Sequence, residues 1–201
     1  GEVLALRGLI LAMAAEDPEL SFLVTSSARS SAQVMAANLP PRTQHQFLPL
    51  DAPRYLRRFL AHWQPDLSVW AEQDLWPGAV VAADRAGVPL ALVNARMNAE
   101  AYARRRRWTG LYADLFARFA LITAQDAASA RHLQALGATG VRVTGSLKAA
   151  APPLAADPAK LAEAREALTG HHPVLLASSH PEDEFVTLSA LRAAATRPLL
   201  L

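Results

Sequence analysis

Short apolar runs alternate along the chain with longer stretches in which apolar residues recur every three or four positions. The short runs have the length of buried β-strands, whereas the spacing of three and four is that of helices with one buried face. Strand and helix in regular succession are typical of a parallel sheet covered by helices on both faces. The predicted strands are 22–24, 46–48, 67–69, 90–93, 120–122, 141–143, 174–176 and 199–201, and the principal predicted helices are 3–14, 52–63, 76–86, 127–136 and 159–168.

Residues that start and stop helices agree with this pattern. Gly87 and Gly137 follow predicted helices, where glycine commonly ends a helix. Asp126 precedes the helix 127–136 and is predicted to cap it. Pro77 suits a first helical turn, so Asp74 or one of its neighbours is predicted to cap the helix that follows. The polar segment 178–184 is predicted to be a loop.

The composition changes near residue 149, where an alanine- and proline-rich segment replaces the regular pattern. Such a segment is typical of a linker. The predicted organisation is therefore a first α/β domain over 1–148, a linker over 149–158 and the opening of a second α/β domain over 159–201. The chain begins without methionine and stops on an apolar run, so we expect it to be a piece of a longer protein.

The composition excludes several classes of function. The chain contains no cysteine, which excludes disulfides, thiolate metal sites and cysteine nucleophiles. A formal net charge of +2 does not indicate binding to nucleic acid. No apolar run is long enough to predict a membrane-spanning helix. The glycine motifs of dinucleotide and P-loop sites and the nucleophile elbow of hydrolases are absent.

Histidines do not indicate a metal site. His171, His172 and His180 lack ligating partners at the spacings typical of zinc sites. These histidines therefore do not predict a zinc site.

Polar residues follow most of the predicted strands. Ligands of open parallel sheets bind outside the carboxyl ends of the strands, so these residues are the candidates for a binding site. Several of them are expected to converge on one cleft. The candidates are Glu2, Thr25, Glu72, Asp74, Asn94, Arg96, Lys148, Ser179 and His180.

Two acids in this set have more than one interpretation. Glu2 opens a predicted helix, where the helix dipole favours its charged form. It is either a first-turn acid that stabilises the helix or a general base that faces a cleft. Glu72 follows the strand 67–69 and lies outside the next helix. It is either an exposed loop acid or part of the binding site.

A run of four arginines, Arg104 to Arg107, is the densest charge in the sequence, and Trp108 follows it. The run is either the exposed face of a helix or a contact for phosphates or an anionic membrane surface. A neighbouring tryptophan suits a membrane interface.

Taken in order, the motifs at the strand ends resemble those of the Kdo transferases. These glycosyltransferases add 3-deoxy-D-manno-octulosonic acid (Kdo) to the lipid A precursor. Two departures from the family pattern are Asp74, where the family has glutamate, and Ser146, where it has asparagine. The matching motifs are GE at 1–2, TSS at 25–27, EQDLWP at 72–77, NAR at 94–96, AQ at 124–125, GSLK at 145–148 and SH at 179–180.

The resemblance implies a GT-B fold, in which two Rossmann-like domains enclose the active site between them. The N-terminal domain binds the acceptor, and the C-terminal domain binds the donor, CMP-Kdo. On this basis the chain covers most of the acceptor domain, without its first strand, and the start of a truncated donor domain. The chain by itself is expected to be inactive and to bind CMP weakly.

The resemblance also implies roles for the candidate residues. Glu2 is implied to be the catalytic base of an inverting transfer that needs neither a metal nor another cofactor. The residues implied on the acceptor side are Thr25, Glu72, Asp74, Asn94 and Arg96, and those on the donor side are Lys148, Ser179 and His180.

The implied location of the full-length protein is the cytoplasmic face of the bacterial inner membrane, with Arg104, Arg105, Arg106 and Arg107 as the membrane contact. Two alternatives remain open. The chain could come from another GT-B nucleotide-sugar enzyme, or it could be a non-catalytic fragment that binds lipid A.

Overall fold

A computed structural model describes residues 2–27, 39–72, 75–150, 156–193 and 199–200; within these ranges the side chains of residues 2–5, 150 and 199–200 are not described. The chain divides into two compact units, Gly1–Pro152 and Pro153–Leu201. The division lies inside the segment 149–158 that the sequence predicts to be a linker. The assignment of acceptor and donor binding to these units stays a prediction.

The first unit is built from alternating helices and strands, as the apolar pattern predicts. Its strands are β1 (Phe22–Ser26), β2 (Thr43–Phe47), β3 (Ser68–Ala71), β4 (Leu90–Ala95), β5 (Leu121–Ala124) and β6 (Arg142–Val143). Its helices are α1 (Glu2–Glu16), α2 (Pro53–Trp63), α3 (Pro77–Arg85), α4 (Ala99–Arg105), α5 (Thr109–Phe116) and α6 (Ala127–Ala135), with short 3-10 turns at Arg106–Trp108 and Leu147–Ala150.

All strand pairs of the first unit are parallel, so the predicted parallel pairing is confirmed. Strands β3 to β6 form a four-stranded sheet in sequence order, and β1 pairs with β2 in a separate two-stranded sheet. Strand β2 begins at Thr43, three residues before the predicted start at 46. The additional residues are polar, which is why the apolar pattern does not predict them as strand. A strand with a free edge exposes much of its surface, so it tolerates polar side chains that a central strand excludes.

The core of the first unit lies on the four-stranded sheet. Strand β4 is central, and five of its six residues are buried. Burying a leucine-sized side chain stabilises the fold by about 2 kcal/mol relative to exposure. Small alanines among the buried residues let helices approach the strands closely. The largest fully buried apolar side chains are Val80, Leu90, Leu92, Met97, Leu115, Leu133 and Leu136.

Gly137 ends α6 at the predicted position for two physical reasons. Its φ of +97° lies in the left-handed region, which disfavours residues with a Cβ. A Cβ at this position would also lie 2.5 Å from the Cβ of Ala113 on α5. The same residue therefore ends one helix and lets a second helix pack against it.

The helix cap predicted at Asp126 is confirmed, whereas the cap predicted at Asp74 lies outside the described residues. Asp126 caps α6, because its carboxylate accepts a hydrogen bond of 2.7 Å from the backbone N–H of Ser129. The cap residue of α3 is Trp76, whose side chain makes no cap hydrogen bond. Asp51 instead accepts a bond of 3.0 Å from the N–H of Gly78, so the first turn of α3 has an acceptor from a distant segment.

The second unit contains α7 (Pro158–Ala167), β7 (Pro173–Val174), α8 (Pro181–Ala193) and β8 (Leu199–Leu200), with β7 and β8 parallel. The predicted loop 178–184 is wrong from residue 181, where α8 begins. Pro181 occupies the first position, and Glu182, Asp183 and Glu184 lie in the first turn. Proline and acids are favoured at a helix N-terminus, so a polar run here starts a helix.

Candidate functional site

The carboxyl ends of β3 and β4 meet at a hydrogen bond between two candidate residues. Glu72 comes directly after β3, and Asn94 is the penultimate residue of β4. The Nδ2 atom of Asn94 donates a bond of 3.1 Å to Oε1 of Glu72. Asn94 is 2% exposed, so the amide that holds this carboxylate is inside the fold.

Both residues adopt an unusual backbone conformation. Glu72 has a φ of +67° and Asn94 a φ of +55°. Asparagine tolerates the left-handed region, but glutamate rarely occupies it. The pairing of β4 with β5 also shifts register between Leu92 and Ala95, as at a β-bulge. Bulges and left-handed residues are common beside functional sites, where they aim side chains.

Strand β5 supports this arrangement from the other side. The backbone N–H of Asn94 donates to Oγ1 of Thr123 at 3.2 Å, and Nε2 of Gln125 donates to the carbonyl of Asn94 at 3.1 Å. Sequence reasoning includes Gln125 in the AQ motif at 124–125 but misses Thr123 as a member of the site. A usable signal for Thr123 is its place as a polar residue near the end of the buried strand β5.

A 3-10 turn brings Lys148 to the same place. The turn spans Leu147–Ala150, and the backbone N–H of Leu147 donates to Oδ1 of Asn94 at 2.9 Å. Lys148 itself is exposed, and its N–H donates to Oγ of Ser146 at 3.3 Å. The Lys148 turn is thus anchored to β4 through the Asn94 side chain.

Helix α1, which begins at Glu2, lies in contact with the Lys148 turn. The side chain of Glu2 lies outside the described part of the molecule, so its role as a base stays a prediction. The backbone nevertheless brings its helix, the turn and the end of β4 together in one compact unit.

Arg96 is exposed just after β4, and its charge acts on the capping carboxylate of α6. The N–H of Ser129 lowers the pKa of Asp126 most strongly, and the positive charge of Arg96 lowers it further. Met97, the next residue, is tied to α6 because its N–H donates to Oγ of Ser129 at 3.1 Å. The NAR segment therefore has a defined backbone path with an exposed cation.

Thr25 lies in the other sheet. It is half-buried on β1, opposite Gln46 of β2. Its neighbour Ser26 shares a hydrogen bond of 2.8 Å with Nε2 of His45. In the described residues, the hydrogen bonds around Asn94 do not include Thr25. Its predicted contact with the acceptor stays a prediction.

The remaining candidates lie elsewhere. Asp74 is outside the described residues. Ser179 and His180 belong to the second unit, at the start of α8. There Oγ of Ser179 donates to Oε1 of Glu184 at 2.8 Å, and the N–H of His180 donates to Oδ2 of Asp183 at 3.0 Å. Their donor-side role stays a prediction.

The arginine run divides into two parts. Arg104 pairs with Glu100 at 2.7 Å, and Arg105 donates to the hydroxyl of Tyr112 at 3.1 Å. Arg106 and Arg107 are exposed in the following 3-10 turn. Trp108 is 63% exposed and Leu111 is 46% exposed, so two cations lie in the chain beside two exposed apolar side chains.

The described part of the chain contains no cluster of three or more histidine, aspartate or glutamate residues that could hold a metal ion. None of its helices combines the length and the apolar character that crossing a bilayer requires.

Comparison with known proteins identifies the family. A family model described as 3-Deoxy-D-manno-octulosonic-acid transferase (kdotransferase) matches residues 1–151. The chain belongs to the Kdo transferase family. The match ends one residue before the end of the first unit. Kdo transferases are glycosyltransferases of the GT-B type, so the α/β class implied by the resemblance is confirmed.

Individual Kdo transferases resemble the chain over most of its length. The 3-deoxy-D-manno-octulosonic acid transferase of Rickettsia bellii is 31% identical over 192 residues, which are 96% of this chain and 46% of the relative. That of Rickettsia felis is 32% identical over 192 residues, 96% of this chain and 41% of the relative. That of Bordetella pertussis is 31% identical over 211 residues, the whole of this chain and 49% of the relative. The chain thus spans 41–49% of the length of these curated relatives.

Proposed function

We propose that the full-length protein transfers Kdo from CMP-Kdo to the lipid A precursor, with inversion at the anomeric carbon. The observation that carries this proposal is the family match over residues 1–151. That range includes α1, the ends of β3, β4 and β5, and the Lys148 turn. The relatives that bear the name Kdo transferase support the same activity.

In this proposal Glu2 is the general base. The acceptor hydroxyl attacks the anomeric carbon of Kdo, and its proton passes to the Glu2 carboxylate. The bond between that carbon and the CMP phosphate oxygen breaks, and CMP leaves with the bonding electrons. Glu2 is the first residue of α1, and the dipole of a helix stabilises a carboxylate at its N-terminus. A group that must accept a proton is thereby favoured in its charged form.

The other candidates bind and orient the two substrates. Glu72 is proposed to accept hydrogen bonds from acceptor hydroxyls, since a carboxylate has several acceptor sites. Thr25, Asp74 and Arg96 complete the acceptor side, and Asn94 belongs to it through its hydrogen bond to Glu72.

Lys148, Ser179 and His180 form the donor side. An exposed ammonium such as that of Lys148 provides a positive charge for the phosphate of CMP.

We also propose that the full-length protein works at the cytoplasmic face of the inner membrane. The supporting feature is the run Arg104 to Arg107 with Trp108. Exposed arginines attract anionic headgroups, and an exposed tryptophan suits the membrane interface. Arg104, Arg106, Arg107 and Trp108 are exposed, and Arg104 is also paired with Glu100.

The test is transfer by the full-length protein, measured by mass spectrometry of the lipid product. With CMP-Kdo and a lipid A precursor, we expect the lipid to gain the mass of Kdo and free CMP to appear. Transfer only from a uridine diphosphate sugar would identify a different GT-B enzyme. Binding of the lipid without transfer from either donor would indicate a non-catalytic protein.

A further inference from the structure

Asn94 lies between residues of the two sides of the proposed site. Its Nδ2 atom donates to Glu72, and its Oδ1 atom accepts from the backbone of Leu147 at the start of the Lys148 turn. Glu72 is 22 residues before Asn94 in the chain, and Leu147 is 53 residues after it. One side-chain amide thus joins the end of β3 to the Lys148 turn.

Burial limits what else this side chain can do. Asn94 is 2% exposed, and its backbone groups are bonded to Thr123 of β5 and to Gln125, the residue that follows β5. A buried polar group is stable only when it is hydrogen-bonded, and both ends of this amide have partners in the protein. A direct contact with the acceptor would require a buried group to be uncovered.

The residue type matches this position closely. An amide supplies a donor and an acceptor on one short planar group, whereas aspartate supplies acceptors alone and leucine supplies neither. Asparagine also tolerates the φ of +55° found here better than most residues.

We propose that Asn94 is a positioning residue, which fixes the position of Glu72 relative to the Lys148 turn, rather than a residue that touches the acceptor. The inference deepens the proposed function, because the roles of Glu72 and Lys148 rest on that function. The hydrogen bonds themselves do not depend on it. The effects of substitution can therefore be measured both with and without substrates.

Asn94→Asp separates the two contacts. The carboxylate still accepts from the N–H of Leu147, but it cannot donate to Glu72 and places a second negative charge beside it. Asn98→Asp is the matched control. It makes the same chemical change four residues away, where the exposed Asn98 side chain only accepts the cap hydrogen bond from Ala101.

Without substrate, melting temperatures of full-length variants test the Asn94–Glu72 contact. Asn94→Asp is expected to lower the melting temperature, and adding Glu72→Gln is expected to raise it again, because the glutamine amide donates to the aspartate. In the wild-type background Glu72→Gln should not raise the melting temperature. Coupled residues show such departures from additivity. If Glu72→Gln has the same effect in both backgrounds, the proposal is wrong. Should Asn94→Asp not fold, the double variant should still fold, and its failure would overturn the proposal.

Hydrogen exchange at the Leu147 amide tests the second contact. Asn94→Asp should leave its protection close to wild type, whereas Asn94→Leu should speed exchange about tenfold or more through the lost hydrogen bond. Equal exchange in wild type and Asn94→Leu would show that Asn94 does not hold the turn.

With CMP-Kdo and lipid A precursor, Asn94→Asp should raise the acceptor KM about tenfold with a smaller change in kcat, as for a lost binding contact. Asn98→Asp should leave both constants near wild type. An acceptor KM within about twofold of wild type for Asn94→Asp would contradict the positioning role. If the wild type transfers no Kdo but the melting and exchange results hold, the proposed function fails and the structural role of Asn94 stands.

Discussion

The strand-end site and the arginine run are both conspicuous in the sequence, yet they hold their charges in opposite ways. At the strand ends, Glu72 is bonded to a buried amide on a backbone with a left-handed φ. In the arginine run, Arg106 and Arg107 are exposed beside an exposed tryptophan. A carboxylate fixed by a hydrogen bond favours a ligand of one geometry. Exposed arginines attract any anionic surface, and salt screens that attraction. This contrast supports the proposed roles of the two regions, one in binding a specific substrate and the other in contacting a membrane surface.

The largest effect should come from Glu2→Gln in the full-length enzyme. An amide cannot accept the hydroxyl proton, and loss of a general base typically lowers turnover about 10²–10⁴-fold. Steady-state kinetics at matched melting temperature measures the loss. Glu16→Gln, at the other end of α1, is the control and should leave turnover unchanged. A Glu2→Gln variant that keeps more than about a tenth of wild-type turnover would show that Glu2 is only a first-turn acid.

The next effect concerns the arginine run. Each basic residue near an anionic surface contributes about 1 kcal/mol of attraction, so Arg106→Ala with Arg107→Ala should weaken binding to anionic vesicles about tenfold to thirtyfold at low salt. Vesicle sedimentation of the full-length protein measures this. The control pair, Arg104→Ala with Arg105→Ala, should lose less, because those side chains already contact Glu100 and Tyr112. Equal binding by wild type and the Arg106/Arg107 variant would mean that the run is an ordinary exposed face.

A similar or smaller effect is expected for Glu72→Gln. If Glu72 binds acceptor hydroxyls, the acceptor KM should rise about tenfold while kcat changes little, because a binding contact is weakened in the ground state and the transition state alike. The same kinetic assay, with the acceptor varied, measures this. A fall in kcat comparable to that of Glu2→Gln would instead make Glu72 a candidate base.

The smallest effect is on stability. Asp126→Ala removes the cap of α6 and should lower the free energy of unfolding by about 1 kcal/mol at neutral pH. The backbone N–H of Ser129 lowers the pKa of Asp126 in the folded state below its ordinary value of 3.8, so the stabilisation by the cap is present at neutral pH and is lost as the pH falls through the lowered pKa. Urea unfolding of wild type and variant at neutral and acidic pH tests this sign. A difference that grows on acidification would contradict it.

Much of the architecture follows from local pattern. The alternation of apolar runs predicts the parallel strands and most helices. Asp126 marks the start of α6 by capping it, and Gly137 marks its end through its left-handed φ. The sequence predicts a loop at the polar start of α8 because acids and proline are common both in loops and in first helical turns. It predicts strand β2 too far along the chain because a mostly polar edge strand carries little apolar signal.

Sequence alone determined the order of elements and the polar residues at the strand ends, since helix and strand periods and caps depend on residues within a few positions of one another. Tertiary structure decided which of those residues meet. The side chain of Asn94 is hydrogen-bonded to Glu72 and Leu147. Asp51 accepts a hydrogen bond from the N–H of Gly78 in α3, which is 27 residues further along the chain. Tertiary structure also decided that Arg104 and Arg105 contact neighbouring side chains, those of Glu100 and Tyr112. Such partners depend on strand register and on how distant segments pack, and residue type and local spacing do not specify either.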